Sequence, residues 1–296
     1  MKEREKPVDG FLFLPPGLAA WFRTFVSERE FEGTIPWTPL AKPLHQATFA
    51  LVTSAGISLR SQTAFDMERE KGEPTWGDPT YRAIPRGTTE RDVEVSHLHI
   101  HTKYILEDIN VILPLSRMAE LEEEMVIGRL APTSYSFYGF QFQGMGFLET
   151  AIAPMSVTMK EEGVDAVLLT PACPFCCPSV GLAARYLEER GFSTIVVTPT
   201  PEFHKVVGIP RSAAIEYPFG RPLGHAGDSR EQREVLLAAF DVLNTSRGPG
   251  RIRHLPFTWP EEPRKTDWHP PEMSPLVRLF LDDIKKARAR EAAPAN

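Results

Sequence analysis

The feature that most narrows the possible folds is a run of alternating patterns between about residues 144 and 199. FLETAIAPMSVTMKEEG (147–163) has helical spacing and closes on glycine, and VDAVLLT (164–170) reads as a buried strand. SVGLAARYLEERG (179–191) is an amphipathic helix, again closed by glycine, and FSTIVVTP (192–199) is a second buried strand. Helix, strand, helix, strand predicts an α/β fold: a parallel sheet with helices on both faces, arranged as two Rossmann-like halves.

The rest of the chain extends this frame. LAAWFRTFVSEREF (18–31) has helical spacing and precedes a proline-rich stretch. ATFALVTSAG (47–56) is an apolar run ending in a small-residue turn, as expected of a buried parallel strand and its loop. Residues 57–94 read as polar and irregular, a functional loop that contains GDPTYRAIP. VSHLHIH (95–101) alternates like a strand, and INVILPL (109–115) reads as a short strand leading into the helix SRMAELEEEMV. EQREVLLAAFDVLN (231–244) and SPLVRLFLDDIKKARAR (274–290) add helices, and EAAPAN (291–296) is expected to fray. The expected organisation is an N-terminal extension (1–46), a first α/β half with a long loop (47–143), a second half (144–273), and a C-terminal helix and tail (274–296).

All three cysteines of the chain, Cys173, Cys176 and Cys177, fall in the loop between the strand 164–170 and the helix 179–191. In open parallel sheets, ligands gather beyond the carboxyl ends of strands, where a loop meets a helix N-terminus. Backbone N–H groups there favour an anion, so a thiolate at this place is stabilised. Cys173 and Cys176 are spaced for a reversible disulfide, and Cys177 is read as structural. An odd, clustered set of thiols is not a secreted disulfide framework; it suits redox, catalytic or metal-binding work. Inert packing cysteines remain an alternative. So does a zinc site completed by His97, His99 and His101, although a closed site commonly uses two separated cysteine pairs and only one C-x-x-C is present. No metal is expected.

If 95–101 is a strand, the three histidines share one face. Composition excludes some partners. A net charge of −6 argues against a general nucleic-acid binder. No apolar run approaches the length of a membrane span, and FLFL near the start is too short for a signal peptide, so a cytoplasmic protein is expected.

In order and spacing, ATFALVTSAGISLR, GDPTYRAIP, EVSHLHIH, EDINVILPLSRMAELEEEMVIGRLAPTSYSFYGF and VDAVLLTPACPFCCPSVGLAARYLEERGFSTIVV resemble the selenoprotein B family of glycine, sarcosine and betaine reductases, together with the related D-proline reductase subunit. The resemblance runs from about residue 47 to 200. It implies reductive cleavage of a small molecule's C–N bond by a selenocysteine or cysteine paired with a second thiol. This chain writes cysteine at the motif, and a thiolate is a weaker nucleophile and leaving group than a selenolate. Several family complexes use a partner subunit whose pyruvoyl group holds the amine as a Schiff base. Any such group is therefore expected on a partner, with no cofactor tightly bound to this chain.

Together these lines give a thiol-dependent reductase in which Cys173 and Cys176 form the redox pair and His99 exchanges a proton with the departing amine. Ser54, Ala55 and Gly56 would offer backbone donors at the neighbouring strand end, with His97 and His101 beside them. Tyr81 and Arg82 would bind a substrate carboxylate, unless Arg82 is merely solvated. Asp108 and Asn110 are read as caps of the turn before INVILPL. Expected partners are the small substrate, a thioredoxin-like reductant or a reductase subunit acting as external dithiol, and further copies of the chain in a homo-oligomer. Two other classes stay open: a cofactor-independent cysteine isomerase or lyase, and a noncatalytic thiol-relay or binding subunit of a larger complex.

Overall fold

A computed structural model describes residues 6–142 and 144–293. The opening MKERE and the last three residues of EAAPAN lie outside that range, so the readings made on them have no structural counterpart.

The strands are β1 (Thr48–Thr53), β2 (Ile57–Leu59), β3 (Tyr81–Pro85), β4 (Val93–Val95), β5 (Arg129–Leu130), β6 (Thr133–Phe137), β7 (Ala166–Thr170), β8 (Ser193–Thr198), β9 (Arg211–Glu216) and β10 (Arg251–Thr258). Eight of them form one sheet in the order β10-β9-β8-β7-β1-β6-β3, with β5 also paired to β1. All its pairings are parallel except β3 with β6, which runs antiparallel at the edge. The core strands β1, β7, β8 and β9 are buried along their whole length, as strands covered on both faces must be. β2 and β4 pair separately as an antiparallel ribbon.

The helices are α1 (Pro16–Ser27), α2 (Met67–Gly72), α3 (Lys103–Glu107), α4 (Leu115–Glu123), α5 (Gly144–Phe147), α6 (Ala153–Glu161), α7 (Cys177–Glu189), α8 (His204–Val207), α9 (Ser229–Thr245), α10 (Pro275–Leu279) and α11 (Leu281–Ala292). Two apolar cores lie on opposite sides of the sheet. One holds Phe49, Leu51, Leu168 and Ile195 with α1, α4 and α9, and the other holds Ala50, Val52, Val167 and Leu169 with α6 and α7. Alternate residues of β1 and β7 thus enter opposite cores, which is the period of two that a pleated strand imposes.

The structure departs from the sequence reading in several elements. Residues 57–94 are not irregular: they contribute β2, α2, β3 and β4. INVILPL is not a strand. Asp108 accepts a hydrogen bond from the Asn110 backbone, starting a 3-10 turn at Ile109–Val111, and Asn110 Oδ1 accepts the Ser116 N–H at the start of α4. The run is apolar because it is buried, not because it joins a ladder. Asp108 and Asn110 therefore act as caps. The 147–163 helix contains a π-helical turn at Leu148–Ile152, immediately before Pro154, which has no N–H to return to the preceding turn. The 274–290 helix breaks at Phe280, whose ring stacks 5.4 Å from Trp21.

Candidate active site

Sheet order reverses at the boundary between β7 and β1: the chain winds outward from β7 to β8, β9 and β10 on one side, while β6 and β3 lie on the other. The loops leaving β1 and β7 diverge there, so the crevice opens at their carboxyl ends. The cysteine loop fills the β7 side and Ser54–Gly56 the β1 side.

The cysteine loop folds locally as a cap. Cys173 is extended (φ −133°), and its sulfur accepts the N–H of Cys176 at 3.1 Å, starting the 3-10 turn Pro174–Cys176 that leads into α7. Pro174 stands at the first position, where no N–H is needed. Cys173 and Cys176 are joined as a disulfide, with Cα atoms 5.1 Å apart. Cys177 is free and points elsewhere: its sulfur accepts the Thr200 hydroxyl at 2.7 Å, and burial pushes its thiol up to about 12. The helix N-terminus does not make this third thiol reactive, because desolvation outweighs the donors around it. Cys173 and Cys176 have no exposed surface and Cys177 has 2%. An exposed redox pair is thus not what this conformation presents; both cysteines are buried in the larger apolar core.

His97, His99 and His101 do not share a face. β4 pairs with β2 only as far as Val95, opposite Ile57. There Gly56 takes a left-handed conformation (φ +68°), and a Cβ on it would lie 2.0 Å from the Ser96 carbonyl oxygen. The chain then bends instead of continuing the ladder, so the alternation of HLHIH never becomes a strand. His97 turns to the cysteines, with Nε2 3.4 Å from Cys176 Sγ. His99 turns to Glu70, with Nε2 2.6 Å from Oε1, between the rings of Phe140 and Phe175. His101 leaves the group. Its N–H donates to Trp268 O, and its ring lies beside Tyr104.

The tautomer of His97 follows from its bonds. Nδ1 accepts the His99 backbone N–H at 3.0 Å, so in the neutral ring the proton sits on Nε2 and faces sulfur. Neutrality is enforced by burial, followed by the nearby His99, which together hold His97 well below the usual histidine range. The arrangement hands a proton donor to Cys176. The ligand atoms of His97, Cys173 and Cys176 also lie within 4.8 Å of one another, a spacing that suits a soft metal ion. A metal-binding imidazole normally donates its second N–H to an acceptor. Here that second nitrogen meets a donor instead, which leaves no lone pair at Nε2.

Other sequence candidates are spent on structure. Ser54 N–H donates to Thr170 O and Gly56 N–H to Phe137 O, while Ala55 bridges to Tyr138. These pairings extend the sheet and use the Ser54 and Gly56 N–H groups; the Ala55 N–H is not among them, because its bridge is closed by Gly56 N–H to Phe137 O and Gly139 N–H to Ser54 O. Ser54 still supports the site, because its hydroxyl accepts the Ala172 N–H at 2.9 Å and holds the start of the cysteine loop. Arg82 is half-buried, and its guanidinium is engaged within the chain. Its guanidinium donates to Thr63 O, Ala64 O, Thr80 Oγ1 and Tyr81 O and lies 4.1 Å over Phe65. Tyr81 packs beside Tyr135, and neither residue of this pair touches the cysteines.

Two residues of the site carry no signal in the sequence. Glu70 has no exposed surface, yet it belongs to MEREKG, which reads as a solvated helix face. Tyr138 donates its hydroxyl to Glu70 Oε2 and is kept protonated, pushed up by burial and by Glu70. Beside the site is a cavity of roughly 290 Å³ walled by Trp21, Phe22, Phe25, Leu182, Phe203 and Phe280. Phe140 and Phe175 form part of its wall and, on their other sides, grip His99.

A family model described as glycine/sarcosine/betaine reductase selenoprotein B matches residues 20–172. The match starts upstream of the motifs read from the sequence and stops one residue before Cys173. The chain is 31% identical over 223 residues to the D-proline reductase subunit gamma of Acetoanaerobium sticklandii, covering 75% of this chain and 89% of that protein. It is 27% identical to the glycine reductase complex component B subunit gamma of Carboxydothermus hydrogenoformans, over 71% of this chain and 48% of that protein. It is 25% identical to the sarcosine reductase complex component B subunit beta of Peptoclostridium acidaminophilum, again over 71% and 48%. The chain therefore spans about half the length of these last two relatives. No solved structure matches it.

Proposed function

Because the chain belongs to the glycine/sarcosine/betaine reductase selenoprotein B family, we propose that it is a reductase component whose Cys173–Cys176 pair supplies two electrons to the C–N bond of a small amine or amino acid. The observation that carries the reading is the His97 Nε2–H placed 3.4 Å from Cys176 Sγ at the switch point of the sheet. A donor there stabilises Cys176 as a thiolate, and the Cys176 N–H does the same for Cys173.

In the forward step one thiolate attacks the substrate carbon; a C–S bond forms and the C–N bond breaks. The departing nitrogen takes a proton, for which His99 is the proposed donor. The second thiolate then attacks the carbon-bound sulfur. An S–S bond forms, the C–S pair returns to carbon, and carbon takes a proton. The substrate is reduced by two electrons, the pair is left as the disulfide seen in the structure, and an external dithiol restores it. The relatives are named as subunits or components of complexes. This chain is accordingly proposed to act with a partner subunit, which would also carry any pyruvoyl group.

The test is intact-protein mass spectrometry of the dithiothreitol-reduced chain incubated with D-proline, glycine, sarcosine or betaine, alone and in an extract of the cells that make it. A covalent adduct, or loss of two hydrogens dependent on one of these compounds and abolished by Cys173→Ser, is expected. A pair that remains reduced with all four, in both settings, sinks the proposal.

A further inference from the structure

Glu70 is the one member of α2 with no exposed surface; the other five residues of that helix are partly or fully exposed. A buried carboxylate is costly unless donors surround it. Two do: the Tyr138 hydroxyl on Oε2 and the His99 ring on Oε1, 2.6 Å away. His99 Nδ1, at the opposite side of the ring, is buried and has no partner among the described residues. Buried polar atoms are nearly always paired, so an orphan on a ring packed 5.3 Å from Phe175 of the cysteine loop points to a group that arrives.

We propose that Glu70, held by Tyr138, is the positioning residue that fixes the His99 proton on Nε2 and thereby leaves Nδ1 as the base of the thiol chemistry. A phenol beside a carboxylate donates to it, which keeps Glu70 an acceptor; His99 must then supply N–H at Nε2, and its lone pair lies at Nδ1. The ring cannot turn away. Phe140 meets it edge-on with centroids 5.2 Å apart, and Phe175, one of the two residues between the paired cysteines, lies at 5.3 Å. His97 is set separately, by the His99 backbone N–H that puts its proton on the Cys176 side. His99 Nδ1 accepts the proton of the attacking thiol, and the imidazolium beside Glu70 then returns it to the leaving nitrogen, so His99 ends unchanged.

This inference rests on the reductase reading, and its test separates the two. Nitrogen NMR of histidine-labelled protein reports which ring nitrogen carries the proton; the wild type is expected to show Nε2–H and a bare Nδ1 at His99. In Glu70→Gln the Tyr138 hydroxyl holds the new carboxamide by its oxygen, turning its NH₂ toward Nε2 and moving the His99 proton to Nδ1. The reduced pair should then close on oxidised glutathione at least ~10²-fold more slowly, as His99→Ala should also do. Glu70→Gln combined with Tyr138→Phe frees the carboxamide to rotate and should recover part of the rate. A wild-type proton on Nδ1 overturns the assignment, and so does a moved proton without a change in rate. If both arms respond while the four candidate substrates give no chemistry, Glu70 keeps its role and the reductase reading falls.

Discussion

Glu202 holds its carboxyl where β8 ends, with Oε1 accepting the Gly10 N–H at 2.8 Å and Oε2 buried without a partner among the described residues. Burial is the largest influence on it and raises its pKa from 4.5 to about 7. The folded chain therefore binds this proton more tightly than the unfolded chain does. The stability involved is fully present below pH 4.5 and is lost as pH rises through about 7. Glu202→Gln keeps an acceptor for Gly10 and removes the titration. Melting curves between pH 5 and 8 should show a decline in the wild type that flattens in the variant, the difference reaching a few kcal/mol; parallel curves would refute the assignment. The cysteines differ at the same scale. After dithiothreitol treatment, iodoacetamide should modify Cys173 or Cys176 well before Cys177, whose thiol burial pushes up to about 12. Peptide mapping that finds Cys177 labelled first would reverse these roles. The thiol cluster was legible because three cysteines between a strand and a helix are conspicuous in the letters. Glu70 was not, since only tertiary placement tells a buried glutamate from the exposed charges around it.

Among the elements, α7 does two jobs from its two ends. Its N-terminus carries the cysteine loop, and near its C-terminus Glu188 makes a fully buried ion pair with Arg211 of β9. Glu188 also accepts from the Thr194 N–H and hydroxyl and from the Thr38 N–H, so one carboxylate joins α7, β8, β9 and the N-terminal extension. Arg211 in turn lies 3.7 Å over the Trp37 ring. Glu188→Ala strands a buried guanidinium and is expected to cost ~3–5 kcal/mol. Replacing both partners by apolar residues of similar volume should cost much less. Calorimetry showing the double variant at least as unstable as the single one would mean that the pair itself, and not the unpaired charge, sets the stability. Periodicity found α7, β7, β8 and α9 because each buries a whole face. It failed at HLHIH, where one left-handed glycine ends the pairing, and at INVILPL, where a side-chain cap converts an apolar run into a turn. Hydrophobic spacing records neither the glycine's backbone conformation in the first place nor the side-chain hydrogen bond in the second.

At the scale of the whole molecule, the α/β class was legible from the alternation of residues 144–199, but the order of the sheet was not. Which strand lies beside β7 depends on long-range pairing, and β6, reading TSYSF, carries no apolar run to announce it. That order matters because it places the exits of β1 and β7 side by side, with Ser54 gripping the start of the cysteine loop across the crevice. Among the described residues no helix is long and apolar enough to cross a membrane, and the sheet is buried between two helical layers. Against such a scaffold the Cys173–Cys176 bond is a minor support. The chain closed between residues three apart is so short that the entropy its bond removes from the unfolded state amounts to about 2 kcal/mol. For a chain of this length that corresponds to a melting shift of about 3 °C. Each sulfur also has a donor besides its partner sulfur: the Cys176 N–H for Cys173 and the His97 Nε2–H for Cys176. Reduction should therefore lower the melting temperature by no more than a few degrees and leave the far-ultraviolet dichroism unchanged, while the fluorescence of Trp21, 6.3 Å from Phe175, shifts as the loop relaxes. A fall of ten degrees or more would identify the bond as a structural staple, because a pair that cycles through both states in every turnover has to leave the fold standing in each.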